Sequence, residues 1–293
     1  MPPRCTQWTR PLRVALCATL CASAWPALAQ DTSAEVTSER TKRQPATKTP
    51  SSGQLKLREK GKPCVATGPT QGQQPHGQWS VRTSEADVLV ARGAYAYGKR
   101  HGPWTWYHPN GKTHQKGQYE HGQRTGAWTS WYANGLRASH GSYLRDKQHG
   151  VWSFWGLKGN KTQRTAFKMG QRTGQDEGYH PGGAMLYRGL RVQGKEHGLW
   201  TWWHPDGTRS ALRTFDEGVP TGRQMKWHPD GTKRMLGTWQ RGKKTGTWTW
   251  WFEDGTPSKK QLWGPDGKML SERVWQPEPE AEEPISVSVV PAP

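Results

Sequence analysis

Three sets of side chains recur along this chain at one spacing, and each set could do a different chemistry. Tyr107, Trp131, Trp155, Tyr179, Trp203, Trp227 and Trp251 stand 24 residues apart, and every member is aromatic. Trp104, Trp128, Trp152, Trp200 and Trp248 keep the same step with gaps. Rows of rings can stack against sugar rings, lipid headgroups or a peptide. They can equally be the core, since burying one ring is worth up to about 4–6 kcal/mol. The second set is cationic: Lys99, Arg100, Arg124, Lys147, Arg172, Lys195, Lys243 and Lys244 fall in the stretches between repeats. Such a row could meet an anionic polymer or membrane surface. It could also be a solvated edge whose charge resists edge-to-edge aggregation. The third set is histidine. His101, His149 and His197 precede a recurring glycine, and His108, His180, His204 and His228 sit beside Pro-x-Gly turns. Equivalent residues in neighbouring hairpins would lie ~10 Å apart, too far to share one metal at ~2.1 Å per nitrogen. These histidines read as polar turn residues, and no metal site is expected.

Catalysis finds no foothold. The acids of the repeats are mostly turn residues, Asp206, Asp230 and Asp254. No nucleophile–base pair, phosphate loop or dinucleotide fingerprint is present. The chain reads as non-enzymatic and without a cofactor.

The elements that carry these side chains follow from glycine. Gly102, Gly126, Gly150, Gly174, Gly198, Gly222 and Gly246 form one series, and Gly111, Gly135, Gly159, Gly183, Gly207, Gly231 and Gly255 a second, both in steps of 24. A third runs Gly98, Gly122, Gly170, Gly194, Gly218 and Gly242, with Asp146 in the vacant place. Repeats of this length mark a repeat architecture. The unit is Gly-x-x-x-Gly-x-Trp-x-Trp-aromatic-x-Pro-Asn/Asp-Gly, as in GKRHGPWTWYHPNGK from Gly98. Pro103 to His108 alternates and is rich in strand formers. Pro109-Asn110-Gly111 has the chemistry of a turn. Lys112 to Tyr119 returns as a second strand, and Glu120 to Gln123 turns into the next unit. Alternation puts Trp104 and Trp106 on one face and Thr105 and Tyr107 on the other. The expected fold is all-β: an elongated single-layer antiparallel sheet of seven to eight β-hairpin repeats, each 24 residues long, flanked by a disordered N-terminal linker and C-terminal tail. Strand spacing gives it a length of roughly 70–80 Å. Neighbouring hairpins must support one another.

These units resemble the MORN-repeat-variant proteins of bacteria, whose pattern is Gly-Lys-x-x-Gly-x-Trp-x-x-Tyr-x-x-x-Gly. The resemblance covers residues 93–267. It departs from the pattern at Asp176 and Gly178 in the fourth unit and at Gln224 and Lys226 in the sixth. It implies a hairpin-repeat fold and a role as a scaffold, a membrane-associated module or an antitoxin-like protein.

The flanks complete the reading. Arg4, Arg10 and Arg13 precede the apolar run Val14 to Leu20, and Ala27-Leu28-Ala29 follows. That is the layout of a secretory signal peptide cut between Ala29 and Gln30. The apolar run is well below the ~20 residues of a spanning helix. The expected division is signal peptide 1–29, linker 30–62, degenerate capping repeat 63–97, repeat domain 98–275 and acidic, proline-rich tail 276–293. The formal charge of +19 falls to +16 once the signal's three arginines are removed. Cys5, Cys17 and Cys21 leave with the signal, so Cys64 is the lone thiol, at the edge of the linker. Export places the protein in the periplasm, in the cell envelope or outside the cell, and disfavours nucleic acid despite the charge. The expected role is an interaction scaffold with a protein partner. The alternatives are a binding module for anionic lipid or cell-wall polysaccharide, and an antitoxin-like immunity protein.

Overall fold

The computed structural model describes residues 51–59 and 62–276. The expected signal segment with its Ala29–Gln30 junction, residues 30–50 of the expected linker and residues 277–293 of the expected tail lie outside the described residues. Among those described there are twenty strands and no helix. All pairings are antiparallel, and successive strands pair in chain order; only the two-residue strand Gln74–Pro75 is bypassed, as Lys62–Gln71 pairs directly with Gly77–Thr83. The result is one open sheet of hairpins. It starts earlier than the linker assignment to residue 62 implied, because Ser51–Glu59 pairs with Lys62–Gln71 as a first hairpin. Leu55 and Ala66 give that hairpin a buried side. Cys64 is also buried there, at 2% exposure, rather than standing on a linker edge.

Each unit is built from two kinds of turn. The first unit runs Lys99–Tyr107, turn, Thr113–Glu120. In its long turn, Gly111 N–H donates to the His108 carbonyl at 2.9 Å and His108 N–H to that of Lys112 at 2.8 Å. Asn110 Oδ1 accepts from Lys112 N–H at 3.1 Å, and Gly111 takes a left-handed φ of 78°. Asp206, Asp230 and Asp254 do the same work further along, accepting from Thr208, Thr232 and Thr256. The threonine hydroxyl, then its amide, holds each carboxyl below the ordinary aspartate range.

The short turns between units have two central residues, both left-handed. His121 and Gly122 have φ of 50° and 87°, and Gln193 and Gly194 of 50° and 82°. This is a type I′ turn, whose twist matches that of the strands it joins. Asp146, in the vacant glycine place, adopts φ 64°. Its carboxylate accepts from Arg124 N–H and Nε–H at 2.9 and 3.0 Å. Each turn is also stitched to the preceding unit: Gly122 N–H donates to the Arg100 carbonyl at 2.9 Å, and Gly194 N–H to that of Arg172 at 2.7 Å.

The remaining glycine series, Gly102 to Gly246, lies inside strands at φ of 62–74°. The register slips here: Ala94 pairs with His101 but Gly93 with Trp104. This bulge brings the indole over the neighbouring strand. Gly93, Gly117, Gly141, Gly189 and Gly237 lie beneath Trp104, Trp128, Trp152, Trp200 and Trp248, each eleven residues earlier. A Cβ on Gly117 would stand 2.1 Å from Trp128 Cδ2, so the ring rests flat on bare backbone. The indole N–H then donates to the carbonyl of the residue after that glycine, as Trp104 does to Ala94 at 2.8 Å and Trp152 to Ser142 at 3.0 Å. Aromatic cover of strand glycines is a known device for pinning register.

This layer of rings makes one face of a single sheet into a core. Trp104 is fully buried, and Tyr95, Trp106 and Tyr119 pack around it at centroid distances of 5.1, 5.7 and 6.2 Å. Arg100 roofs the group, its guanidinium 5.0 Å from the Trp104 ring. The core face therefore carries its own second layer.

Candidate functional site

The opposite, open face carries the other ring series. Tyr107, Trp131, Trp155, Tyr179, Trp203, Trp227 and Trp251 all end the first strand of their unit and are half-buried. Trp275 extends the row one step further. Cations from the neighbouring strands sit against these rings: Arg137 lies 5.1 Å from the Trp155 centroid, Lys161 5.8 Å from Tyr179 and Arg209 5.6 Å from Trp227. Arg273, two residues before Trp275 in the chain, lies 4.7 Å from its ring centroid.

The histidines beside the long turns fix this row. His108 Nε2 meets the Trp131 carbonyl at 2.8 Å, His180 that of Trp203 at 2.9 Å, His204 that of Trp227 at 3.2 Å and His228 that of Trp251 at 3.0 Å. A carbonyl only accepts, so Nε2 carries the proton. Tyr132 replaces histidine in the second unit and donates to the Trp155 carbonyl at 2.7 Å. Each tie joins one unit to the next at the residue that bears the open-face ring. They are more than the polar turn residues expected from sequence. His101, His149 and His197 take no part in these ties.

The surface around the row is shallow and partly apolar. Val151, Leu190, Leu199 and Leu262 are 47%, 43%, 57% and 42% exposed on this face. A concavity of about 400 Å³ opens between the first and second units, lined by Pro103, Lys116, Thr125, Ala127, Thr129 and Trp131. Among the described residues, no three His, Cys, Asp or Glu side chains converge as metal ligands.

The basic set does not form one row. Lys99, Lys147, Lys195 and Lys243 are exposed at the first position of their strands. Arg100, Arg124, Arg172 and Lys244, at the second position of their strands, point to the core face and are half-buried. Arg124 lies 4.0 Å from the Tyr143 ring and Lys244 4.8 Å from that of Trp248. Burial, then Lys259, pushes the Lys244 ammonium below the ordinary lysine range. Alternation along the strand divides the two sets, so half of these cations are lids on the core.

The core face has three polar breaks. Where Trp gives way to Asp176, Gln224 and Glu272, the facing glycine gives way to Thr165, Arg213 and Gln261. Asp176 is fully buried, accepting from Arg191 Nε at 2.6 Å and Gln163 Nε2 at 3.1 Å. Glu272 accepts from Gln261 at 2.6 Å. The paired exchange was visible in the sequence as two series eleven residues apart that break in the same units. Its meaning depended on knowing that the ring needs the glycine.

The first repeat unit matches a known repeat family. A family model described as MORN repeat variant matches residues 100–121. The chain carries a MORN-variant repeat. The match runs from Arg100, the lid on Trp104, through the first long turn to His121 in the type I′ turn. The later units repeat this hairpin in the 24-residue register already described. Comparison with curated proteins finds no match to the chain.

Proposed function

We propose that the protein is a non-catalytic scaffold, exported to the cell envelope, that binds a protein partner through the ring row of its open face. The observation behind this is a contrast between the two ring series. The core series loses its indole in the fourth, sixth and eighth units, and the sheet forms regardless. The open-face row is aromatic in every unit from Tyr107 to Trp275, though its rings are less buried. Rings kept for packing alone should tolerate the exchange the core tolerates. Half-buried aromatics among exposed Leu and Val side chains are the material of protein interfaces. The basic and apolar N-terminal segment supports export.

The cations against the rings favour one other reading, an anionic lipid or cell-wall polysaccharide as ligand. One experiment separates the two. The mature chain and a Trp131→Ser, Trp155→Ser, Trp203→Ser variant of unchanged circular dichroism are used to capture proteins from envelope extract. Both are also sedimented with anionic vesicles and cell-wall sacculi at low and high salt. A protein captured by the parent and lost on the variant is expected. Pelleting that fades with salt, without specific capture, would transfer the role to lipid or polysaccharide. Equal behaviour of parent and variant would remove the ring row as the working surface.

A further inference from the structure

We infer that the sixth unit holds a carboxylate-binding site on the core face, formed by Arg213, Lys226 and Gln224, that takes an acidic side chain of a peptide. The site lies on the face opposite the ring row, so it stands or falls independently of the reading above.

The three polar breaks of the core face differ in what answers their polar groups. In the fourth and eighth units the place of the indole holds a carboxylate, Asp176 or Glu272. Each has donors gathered on it, Arg191 and Gln163 in one case and Gln261 in the other. The sixth unit keeps donors and lacks the acid. Gln224 is buried to 2% exposure in the indole place, and its Oε1 accepts from Trp239 Nε1 at 2.6 Å. Arg213 faces it in register, in the glycine place. Lys226 follows two residues on along the same strand face, opposite Ala211 on one side and Met235 on the other.

Among the described residues, neither cation has a carboxylate partner. The ion pairs of this region join Arg191 to Asp176 and Glu196, Lys195 to Glu217, His197 to Asp216 and His228 to Glu253, and none of them includes Arg213 or Lys226. Arg213 rests against the Phe215 and Trp239 rings, 5.7 Å from each centroid, and its Nε is buried with no hydrogen-bond partner. Burial pushes the Lys226 ammonium below the ordinary lysine range, with Arg213 and then Arg234 adding to it. Burial alone lowers Arg213. Two half-buried cations and an unmet guanidinium donor, at the place where other units carry an indole, are what a carboxylate needs and what an apolar ligand would avoid. The Arg fork supplies paired donors, and the Lys supplies a point charge.

The test uses a fluorescein-labelled hexaglutamate peptide and the full mature chain at fixed ionic strength, read by anisotropy, with sodium acetate as competitor. The same titration is run on a full chain carrying Glu278, Glu280, Glu282 and Glu283→Gln, so that the protein's own acidic tail cannot mask the site. The informative variant is Arg213→Gly with Gln224→Trp, which restores the ring-on-glycine pair of the other units and so keeps the fold. A charge-matched control, Lys243→Gln, removes an exposed cation elsewhere. Saturable binding in at least one parent, weakened tenfold or more by Arg213→Gly with Gln224→Trp and by Lys226→Met but less than twofold by the control, is expected. Competition by acetate would show that a free carboxylate suffices; resistance to it would show that the peptide supplies further contacts. No saturable binding in either parent, or binding unchanged in the ring-restoring variant, would overturn the site.

Discussion

A single missing Cβ governs each unit. The indole of Trp128 lies where a side chain on Gly117 would have to be. Gly117→Ala should therefore cost more than about 2 kcal/mol, by unseating a buried ring. Gly126 has left-handed φ of 62° and nothing within 4 Å of an added Cβ, so Gly126→Ala should cost only about 1–2 kcal/mol of backbone strain. Urea midpoints compare the two, and equal shifts would deny the indole seat. By the same reasoning Gly150→Val, at φ 74°, should lower the midpoint clearly, while Lys147→Ala on the exposed edge should barely move it. Tyrosine reports on the same layer. Burial, then the Asp176 charge, raises the Tyr187 phenol to about 12. The folded value lies above the unfolded value of about 10. That contribution to stability is complete below pH 10 and is lost as the pH rises towards 12. Alkaline titration followed at 295 nm, beside denaturant midpoints across this window, should show late ionisation and falling stability. A phenol titrating wholly near 10 would contradict the burial.

At the scale of the hairpin, the turns carry the clearest consequences. Each type I′ turn begins with a non-glycine residue in the left-handed region, such as Met169 at φ 52°. Asparagine tolerates that conformation better than methionine. Met169→Asn should raise the melting temperature by a few degrees, and a fall would mean the methionine has a packing role. The fourth unit is the reverse case. Arg191→Leu leaves Asp176 buried without its cation and should cost about 3–5 kcal/mol. Thr165→Gly with Asp176→Trp, which rebuilds the ring pair, should restore the lost stability in the Arg191→Leu background. Failure to do so would show that the ring pair is not a modular part.

Much of this was legible in the sequence. Glycine periodicity gave the hairpin length and both turns, and alternation separated Trp104 from Tyr107 correctly. Other features were not legible, because they depend on how far one unit is offset from the next. His108 reaches the Trp131 carbonyl only once the bulge and the turn type are fixed. The bulge at Gly102 shifts the partner strand's register, and no period-two pattern contains that shift.

At the largest scale, the described residues form one open sheet with unlike faces. Its core face is sealed by rings and guanidinium lids in the N-terminal hairpins and the first three units, where one buried cluster runs from Leu55 to Phe167. Polar breaks in the fourth, sixth and eighth units interrupt that face further along. The open face is uninterrupted, with a half-buried ring in each unit tied to its neighbour by a histidine or tyrosine at most steps. In a repeat array each unit contacts only its neighbours. Such ties hold a row of equivalent rings at a fixed pitch, which a partner can read as a whole. Tryptophan oxidation by hydroxyl radicals, mapped by mass spectrometry on the chain alone and with its captured partner, tests this most directly. Trp131, Trp155, Trp203 and Trp227 should oxidise readily alone and be protected by the partner, while Trp104, Trp128, Trp152, Trp200 and Trp248 stay inert in both. Open-face rings that oxidise equally with and without the partner would contradict the ring row as the binding surface.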